Sequence, residues 1–316
     1  MSTHTLKDPS LLDRIFATTN KLGVIVRAVV LKTYLDCVPC FFRQALYASR
    51  RATGDSVLQE DILRQVMLHV SQSDFSRPPP FTAREIYRLV GNKSGNHDSF
   101  KEIKHQSNKL VLGLYPRLRQ MVEESSDPVA QATKLAIAGN IIDFGANADL
   151  DSSDIQRSID EAMHVSLPEK VMEHFHQAIS QAKDVLYIGD NAGEIVFDKL
   201  LIEKLLPQNI TYAVRGSPVI NDVTLVDAEE AGLNSLVEVI DSGSDVPGIV
   251  LDQCSKAFVE RYEQADLVIA KGQGNYETLN EEKKHIFFMM KVKCPVVAAD
   301  VGCPVGSMVI RENQVG

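Results

Sequence analysis

Four short stretches of this sequence carry residue types suited to a metal ion and a phosphate. They are "GDNAGE" (189–194), "RGSPVIND" (215–222), "DSGSD" (241–245) and "KGQGNYE" (271–277), and each follows a short apolar run. Asp190, Asn191 and Asp222 offer the hard oxygen donors that Mg2+, Mn2+ or a similar divalent ion prefers. Arg215 and Lys271 offer cations, while Gly193 and Gly272 offer backbone N–H groups at helix starts, a combination suited to a phosphoryl group. A hard ion beside a phosphate cradle is the arrangement of phosphoryl transfer or hydrolysis. Taken singly, each Asp or Asn has a plainer role, because both cap helices and fit tight turns. Their convergence at the strand ends of one sheet is what points to a site. Glu194 stands where a capping-box partner would, whereas Lys271, a cation ending a buried strand, needs solvation or a counter-charge.

Other nucleotide and acyl-transfer motifs fit poorly. Gly189 and Gly193 do not give G-x-G-x-x-G, no Gly-Lys-Ser/Thr occurs, and no G-x-S-x-G stands at a strand end.

Convergence requires an architecture that brings these loops together. Up to about residue 183 the pattern is helical and poor in glycine, with apolar residues at three- and four-residue spacing, as in "FFRQALYASRRA" and "DILRQVMLHVSQ". Asp127 and Pro128 read as the N-cap and first residue of a helix running to Gly145, and "SRPPPF" (76–81) as a stiff connector. Beyond 183, "VLYI", "ITYAV", "VEVI", "DLVIA" and "PVVAA" read as strands, with helices such as "IVFDKLLIEKLL" and "DVTLVDAEEAG" between several of them. The expected fold class is α/β, a Rossmann-like and mostly parallel sheet with flanking helices, preceded by an all-helical N-terminal domain. The expected boundaries are 1–165 for the helical domain and 166–316 for the α/β domain that carries the site. In such sheets ligands bind outside the carboxyl ends of the strands, which is where the four loops fall.

The helical half adds a few candidates. Asn140 and Asp143 share one face of the apolar helix "AIAGNIIDFG" and are expected to point into the cleft above the sheet, with Asn108 a further residue of this kind. "CVPC" (Cys37 to Cys40) opens a helix, whereas a thioredoxin-type motif would follow a strand. A structural zinc site needs a second pair of ligands, and Cys254, Cys294 and Cys303 are scattered in the sequence. Buried thiols at a helix start are the simplest reading, with a redox or metal role left open.

At 316 residues, 44% hydrophobic and 24% charged, the chain has the composition of a soluble globular protein. A net charge of −9 argues against nucleic acid or an anionic membrane surface as partner. "GVIVRAVVL" (23–31) is too short to span a bilayer and carries Arg27, and the N-terminus lacks a basic segment followed by an apolar one. An odd count of five cysteines fits a reducing compartment, so a cytoplasmic location is expected. Nothing in the sequence sets the oligomeric state.

From about Tyr34 to the end, the ordered set "DCVPCFFRQAL", "GNIIDFG", "GDNAGEIVFD", "RGSPVINDVT", "KGQGNYETL" and "KCPVVAADVGCPVGS" resembles the damage-control phosphatase family, in its branch with an N-terminal C-x-x-C. The resemblance implies a metal-dependent phosphatase that hydrolyses a small phosphorylated metabolite, a sugar phosphate or a damaged intermediate. It implies one divalent ion (Mg, Mn, Co or Ni) held by Asp190, Asn191 and Asp222, with Asp190 and Lys271 in catalytic roles. Asn140, Asp143, Gly193, Arg215, Gly272 and Asn275 are the corresponding substrate-side positions. Two features depart from the pattern. The R-T-x-K and E-G-M-G-R signatures of other branches are absent, with "MMKVKCPVV" in their place and Lys291 or Lys293 as the cation. Ser99 also stands where a D-P-Y-x-x-x-K pattern would have proline. Either water or Asp190 can be the nucleophile, and Ala192, where a D-x-D motif would have its second carboxylate, favours water. Two other readings are an S-adenosylmethionine-dependent methyltransferase, disfavoured by Arg215 at the end of the second strand, and a non-catalytic C-x-x-C module.

Overall fold

The structure, a computed structural model, describes residues 31–139 and 152–313. Asn140 and Asp143 lie outside the described residues. Six strands form one sheet: β1 (Asp184–Ile188), β2 (Asn209–Val214), β3 (Glu238–Asp241), β4 (Leu267–Lys271), β5 (Ile286–Lys291) and β6 (Met308–Glu312). Their order is β3-β2-β1-β4-β5-β6. The first five are parallel, and β6 runs antiparallel along β5. The strand order reverses at β1, so the loops after β1 and β4 flank the switch point where ligands bind in such sheets. "GDNAGE" and "KGQGNYE" are those loops.

The central strands are continuous apolar runs because both of their faces are covered. Val185 and Tyr187 of β1 join one core cluster, and Leu186 and Ile188 join the other, following the two-residue period of a strand. On the first face lie α4 (Lys101–Glu123), α5 (Pro128–Gly139), α7 (Glu169–Gln181) and α8 (Glu194–Leu205), contributing Val111, Leu135, Phe175 and Phe197 among others. The second face takes Phe258 of α10 (Lys256–Gln264), Tyr276 of α11 (Gly272–Leu279) and Val297 of α12 (Pro295–Val301). α6 (Ser152–His164) and the short α9 (Leu225–Glu230) complete these layers.

A third cluster, built from Phe41, Ile62, Val66, Ile86 and Val90, belongs to α1 (Cys37–Ala52), α2 (Ser56–Gln72) and α3 (Pro79–Ser94). Helices from α4 onward are therefore part of the sheet's own core. α4 and α5 bury their faces on α8 and the sheet. The expected Asp127 cap is present, with the Ala130 N–H donating to Asp127 Oδ1 at 2.9 Å.

Other local expectations change. "PVVAA" is not a strand but helix α12, with Pro295 at its start and Gly302 in the left-handed region (φ 78°) at its end. The fifth strand is the preceding "IFFMMK". A short apolar run does not distinguish a strand from a buried helix, whereas proline at the first turn and glycine past the last do. The expected connector 76–81 is shorter than read, since α3 opens at Pro79. Among the described residues no helix is long and apolar enough to cross a membrane.

Candidate active site

Backbone hydrogen bonds join the loop after β1 to the loop after β2. The Ala192 N–H donates to Asn221 O (2.9 Å) and the Val223 N–H to Asp190 O (2.9 Å), and Asn191 pairs with Asp222 in an antiparallel bridge. This stitching brings Asp222 to the adjacent pair Asp190 and Asn191, 31 residues from the nearer of them, with Asp190 only 8% and Asp222 only 3% exposed. Two conformational details hold it. Ile220 has φ 48°, a strained value for a β-branched residue that costs about 1–3 kcal/mol. Its side chain packs on the α1–α3 cluster, which offsets that cost and anchors the Asp222 loop to the helical layer. Gly272, at φ 79°, lies against Asp190, so that any Cβ there would overlap the carboxylate.

Arg215 is buried at the back of the site. Its Nε donates to Asp222 Oδ2 (2.7 Å) and its Nη2 to Asn275 Oδ1 (3.1 Å), while Nη1 is buried without a partner. Asn275 in turn donates to Gly189 O (3.1 Å) and Lys271 O (2.6 Å), tying the ends of β1 and β4 together. Burial, then the charges of Glu194 and Asp222, push the Asp190 carboxyl up to about 8, against the pull of Lys293 and Arg215. Burial also raises Asp222, with Arg215 opposing.

Lys271 is fully buried, and its ammonium meets three acceptors: Asp198 Oδ1 (2.5 Å), Glu194 Oε1 (2.6 Å) and Ala136 O (2.9 Å). Those account for all three of its hydrogens. Burial disfavours the charge, but Asp198 and Glu194 more than compensate and hold the lysine above its ordinary value. Glu194 is not a capping-box partner, since the N-cap of α8 is Gly193 and makes no side-chain cap bond. Instead Glu194 Oε2 accepts from Asn191 Nδ2 at 3.2 Å. The Gly193 N–H is likewise engaged, donating to Asn108 Oδ1 at 2.7 Å. Asn108 Nδ2 contacts Asp227 (3.2 Å) and Glu230 (2.9 Å), and so fixes the loop to α9.

Three contributors were not singled out or not resolved from the sequence. Lys104, buried on α4, pairs with Asp227 at 3.2 Å, and its charge lowers Asp222. Asp198, mid-helix in α8, reads in sequence as an ordinary helix carboxylate. Lys293 is exposed, and its charge bears on both Asp190 and Asp222, whereas Lys291 lines a separate cavity of about 330 Å3 with Glu161 and Met308. A cleft of about 310 Å3 lies along the 217–220 segment, between Arg84, Arg88, Asn96, His97 and Ser99.

Cys37 and Cys40 open α1 as free thiols. Burial, helped by the nearby Glu277 and Cys294 charges, pushes Cys37 up to about 11, which makes it a poor nucleophile. Cys294, distant in sequence, thus lies within electrostatic reach of Cys37.

Asp190, Glu194, Asp198 and Asp222 are buried with only Lys271 and Arg215 as equally buried cations among them, and burial together with this crowding of carboxyls raises Asp190. The neighbouring buried Lys104 is paired with buried Asp227. Among the described residues no three His, Cys, Asp or Glu side chains are grouped as if around an ion. The donor set here is two carboxyl groups and an amide, all hard oxygen ligands, and with carboxyls outnumbering the buried cations it fits a hard divalent ion.

The profile of the damage-control phosphatase ARMT1-like domain matches residues 33–309. The chain belongs to the damage-control phosphatase family. It is 31% identical over 293 residues to damage-control phosphatase PH1575 of Pyrococcus horikoshii, spanning 90% of this chain and 99% of that one. It is also 33% identical over 292 residues to an uncharacterized protein, MJ0202, of Methanocaldococcus jannaschii, spanning 88% of this chain and 94% of that one. The crystal structure of the Pyrococcus horikoshii protein, described as of the DUF89 family, superposes with a TM-score of 0.81 at 30% identity, covering 90% of this chain and 100% of that one. Membership of the damage-control phosphatases makes this chain a phosphatase acting on damaged metabolites.

Proposed function

We propose that this phosphatase is metal-dependent, holds one divalent ion on Asp190, Asn191 and Asp222, and hydrolyses the monoester of a small phosphorylated metabolite. The observation that carries this reading is the stitched pair of loops, which gathers buried oxygen donors, with more carboxyl groups than buried cations, at the switch point. When bound, the ion supplies Lewis acidity and neutralises charge on the phosphoryl oxygens.

The chain's own residues divide the remaining work. Arg215 holds one oxygen of Asp222 and leaves the other available. Lys293, exposed beside Asp190 and Asp222, is the cation that orients the phosphate. Lys271, with all its hydrogens engaged, supports the site by position and not by touching phosphate. A carboxylate of the site can orient or deprotonate an attacking water, and Ala192 leaves an aspartyl-phosphate route without its usual second carboxylate. In the adjoining cleft Arg88 is already paired with Asp245 and Arg84 with Glu85. Asn96, Ser99 and Ser217 are left to meet hydroxyl groups, which favours a sugar-like leaving group over a second anion. Five free cysteines accord with a cytoplasmic location.

The test is hydrolysis of an aryl phosphate by metal-stripped protein, with Mg2+, Mn2+, Co2+ or Ni2+ added back, beside Asp222→Ala. Restored turnover that the variant lacks, by at least about 100-fold, is the expected result. Full activity without metal, or in the variant, would overturn the reading.

A further inference from the structure

Beneath the site lies a hydrogen-bonded assembly that the proposed chemistry does not use. Tyr187 and Tyr212 are register partners on β1 and β2, stacked with ring centroids 5.3 Å apart. Their hydroxyls donate to the two oxygens of Asp198, at 2.8 and 2.9 Å. Asp198 follows Glu194 by one helical turn on α8, where two like charges repel. Lys271 sits between them and donates to both. These five side chains are fully buried. Apolar residues of similar volume would pack as stably, so five buried polar groups call for a reason beyond stability.

The far end of the assembly supplies one. An amide nitrogen has two hydrogens, and those of Asn191 meet Asp190 Oδ2 (2.7 Å) and Glu194 Oε2 (3.2 Å). With both N–H groups taken by carboxylates, the nitrogen end of the amide is fixed and its oxygen is left to a different partner. The two ends of an amide are nearly the same size, and an ion accepts only the oxygen, so ligation depends on which way the group is turned. Glu194 and Asp190 together set that choice, and Lys271 holds Glu194.

We propose that Asp198, with Tyr187, Tyr212 and Lys271, is a positioning assembly that fixes the Asn191 amide with its oxygen toward the ion, acting through Glu194. The proposal rests on the metal-binding reading above. It makes the assembly an outer layer of the site, of the kind whose loss weakens metal binding.

The experiment measures Mn2+ affinity of the full chain, by electron paramagnetic resonance of the free ion, for Asp198→Asn and Tyr212→Phe. Each is made with Asn191 present and again in an Asn191→Asp background. Asp198→Asn should weaken Mn2+ binding about 10–100-fold, and Tyr212→Phe about five-fold, the scale of one hydrogen bond. A carboxylate presents oxygen whichever way it turns, so both losses should shrink to under about two-fold in the Asn191→Asp background if orientation is the cause. Equal losses in the two backgrounds would reduce the assembly to general structural support and overturn the proposal. So would unchanged affinity with Asn191 present. If Asp198→Asn does not fold, the Tyr212→Phe pair decides alone. A wild-type chain that binds no Mn2+ overturns the metal reading and this proposal together, whereas wild-type binding with insensitive variants overturns this proposal only.

Discussion

Lys271 and Lys293 stand at the ends of adjacent strands, β4 and β5, and have opposite surroundings. At the end of β4 the ammonium is enclosed, and Glu194, Asp198 and a main-chain carbonyl take its three hydrogens. Just past β5 the side chain is exposed and bears on Asp190 and Asp222 from the solvent side. The difference is one of acceptors: the protein supplies all three around Lys271, whereas Lys293 is the cation proposed above to orient the phosphate.

Exchanging the two lysines for apolar residues breaks the comparison most sharply. Lys271→Met leaves two buried carboxylates without their cation and should cost about 3–5 kcal/mol of stability, read from urea unfolding. A loss below 1 kcal/mol would show that Lys271 is not the keystone described here.

Glu277 on α11 sharpens the point, as a buried carboxylate that accepts from the Gln273 amide (2.8 Å) and has no cation paired with it among the described residues. Burial raises it from 4.5 to about 7. The folded state then keeps a proton that the unfolded chain releases between those values, so this group's contribution falls as pH rises through 7. Glu277→Gln should therefore stabilise the protein by about 1–3 kcal/mol at pH 8 and change little at pH 4.5. Equal effects at both pH values would contradict this assignment.

Lys293→Met should leave stability within about 0.5 kcal/mol of wild type while lowering kcat/KM for an aryl phosphate about ten-fold. Lys291→Met, facing the other cavity, should change neither, and a rate loss there equal to that of Lys293→Met would erase the distinction between the two positions.

Much of the sheet was legible because four of the strands are short β-rich runs that meet Gly189, Arg215, Asp241 or Lys271 at their ends. β5 and α12 were misread because both are short and apolar, and only the proline and glycine punctuation separates them. Asp190, Asn191 and Asp222 were legible as candidates because hard oxygen donors at strand ends are a chemical pattern. The state of their neighbours was not. Glu194 carries the signature of a cap, yet it faces Lys271, because a cap is a local device while an ion pair is made across 77 residues. Gly193 has the right residue type for a phosphate loop, but Asn108 takes its N–H from 85 residues away.

The sequence by itself determined the alternation of strands and helices, hence a parallel sheet with its ligand edge at the strand ends, because periodicity and right-handed crossovers are consequences of local chemistry. It also determined which residue types stand along that edge. Only the tertiary structure decided which of them face one another, which hydrogens are already taken, and that helices from α4 onward belong to the sheet's core. Burial and hydrogen-bond satisfaction are properties of neighbours in space, and a linear pattern does not carry them.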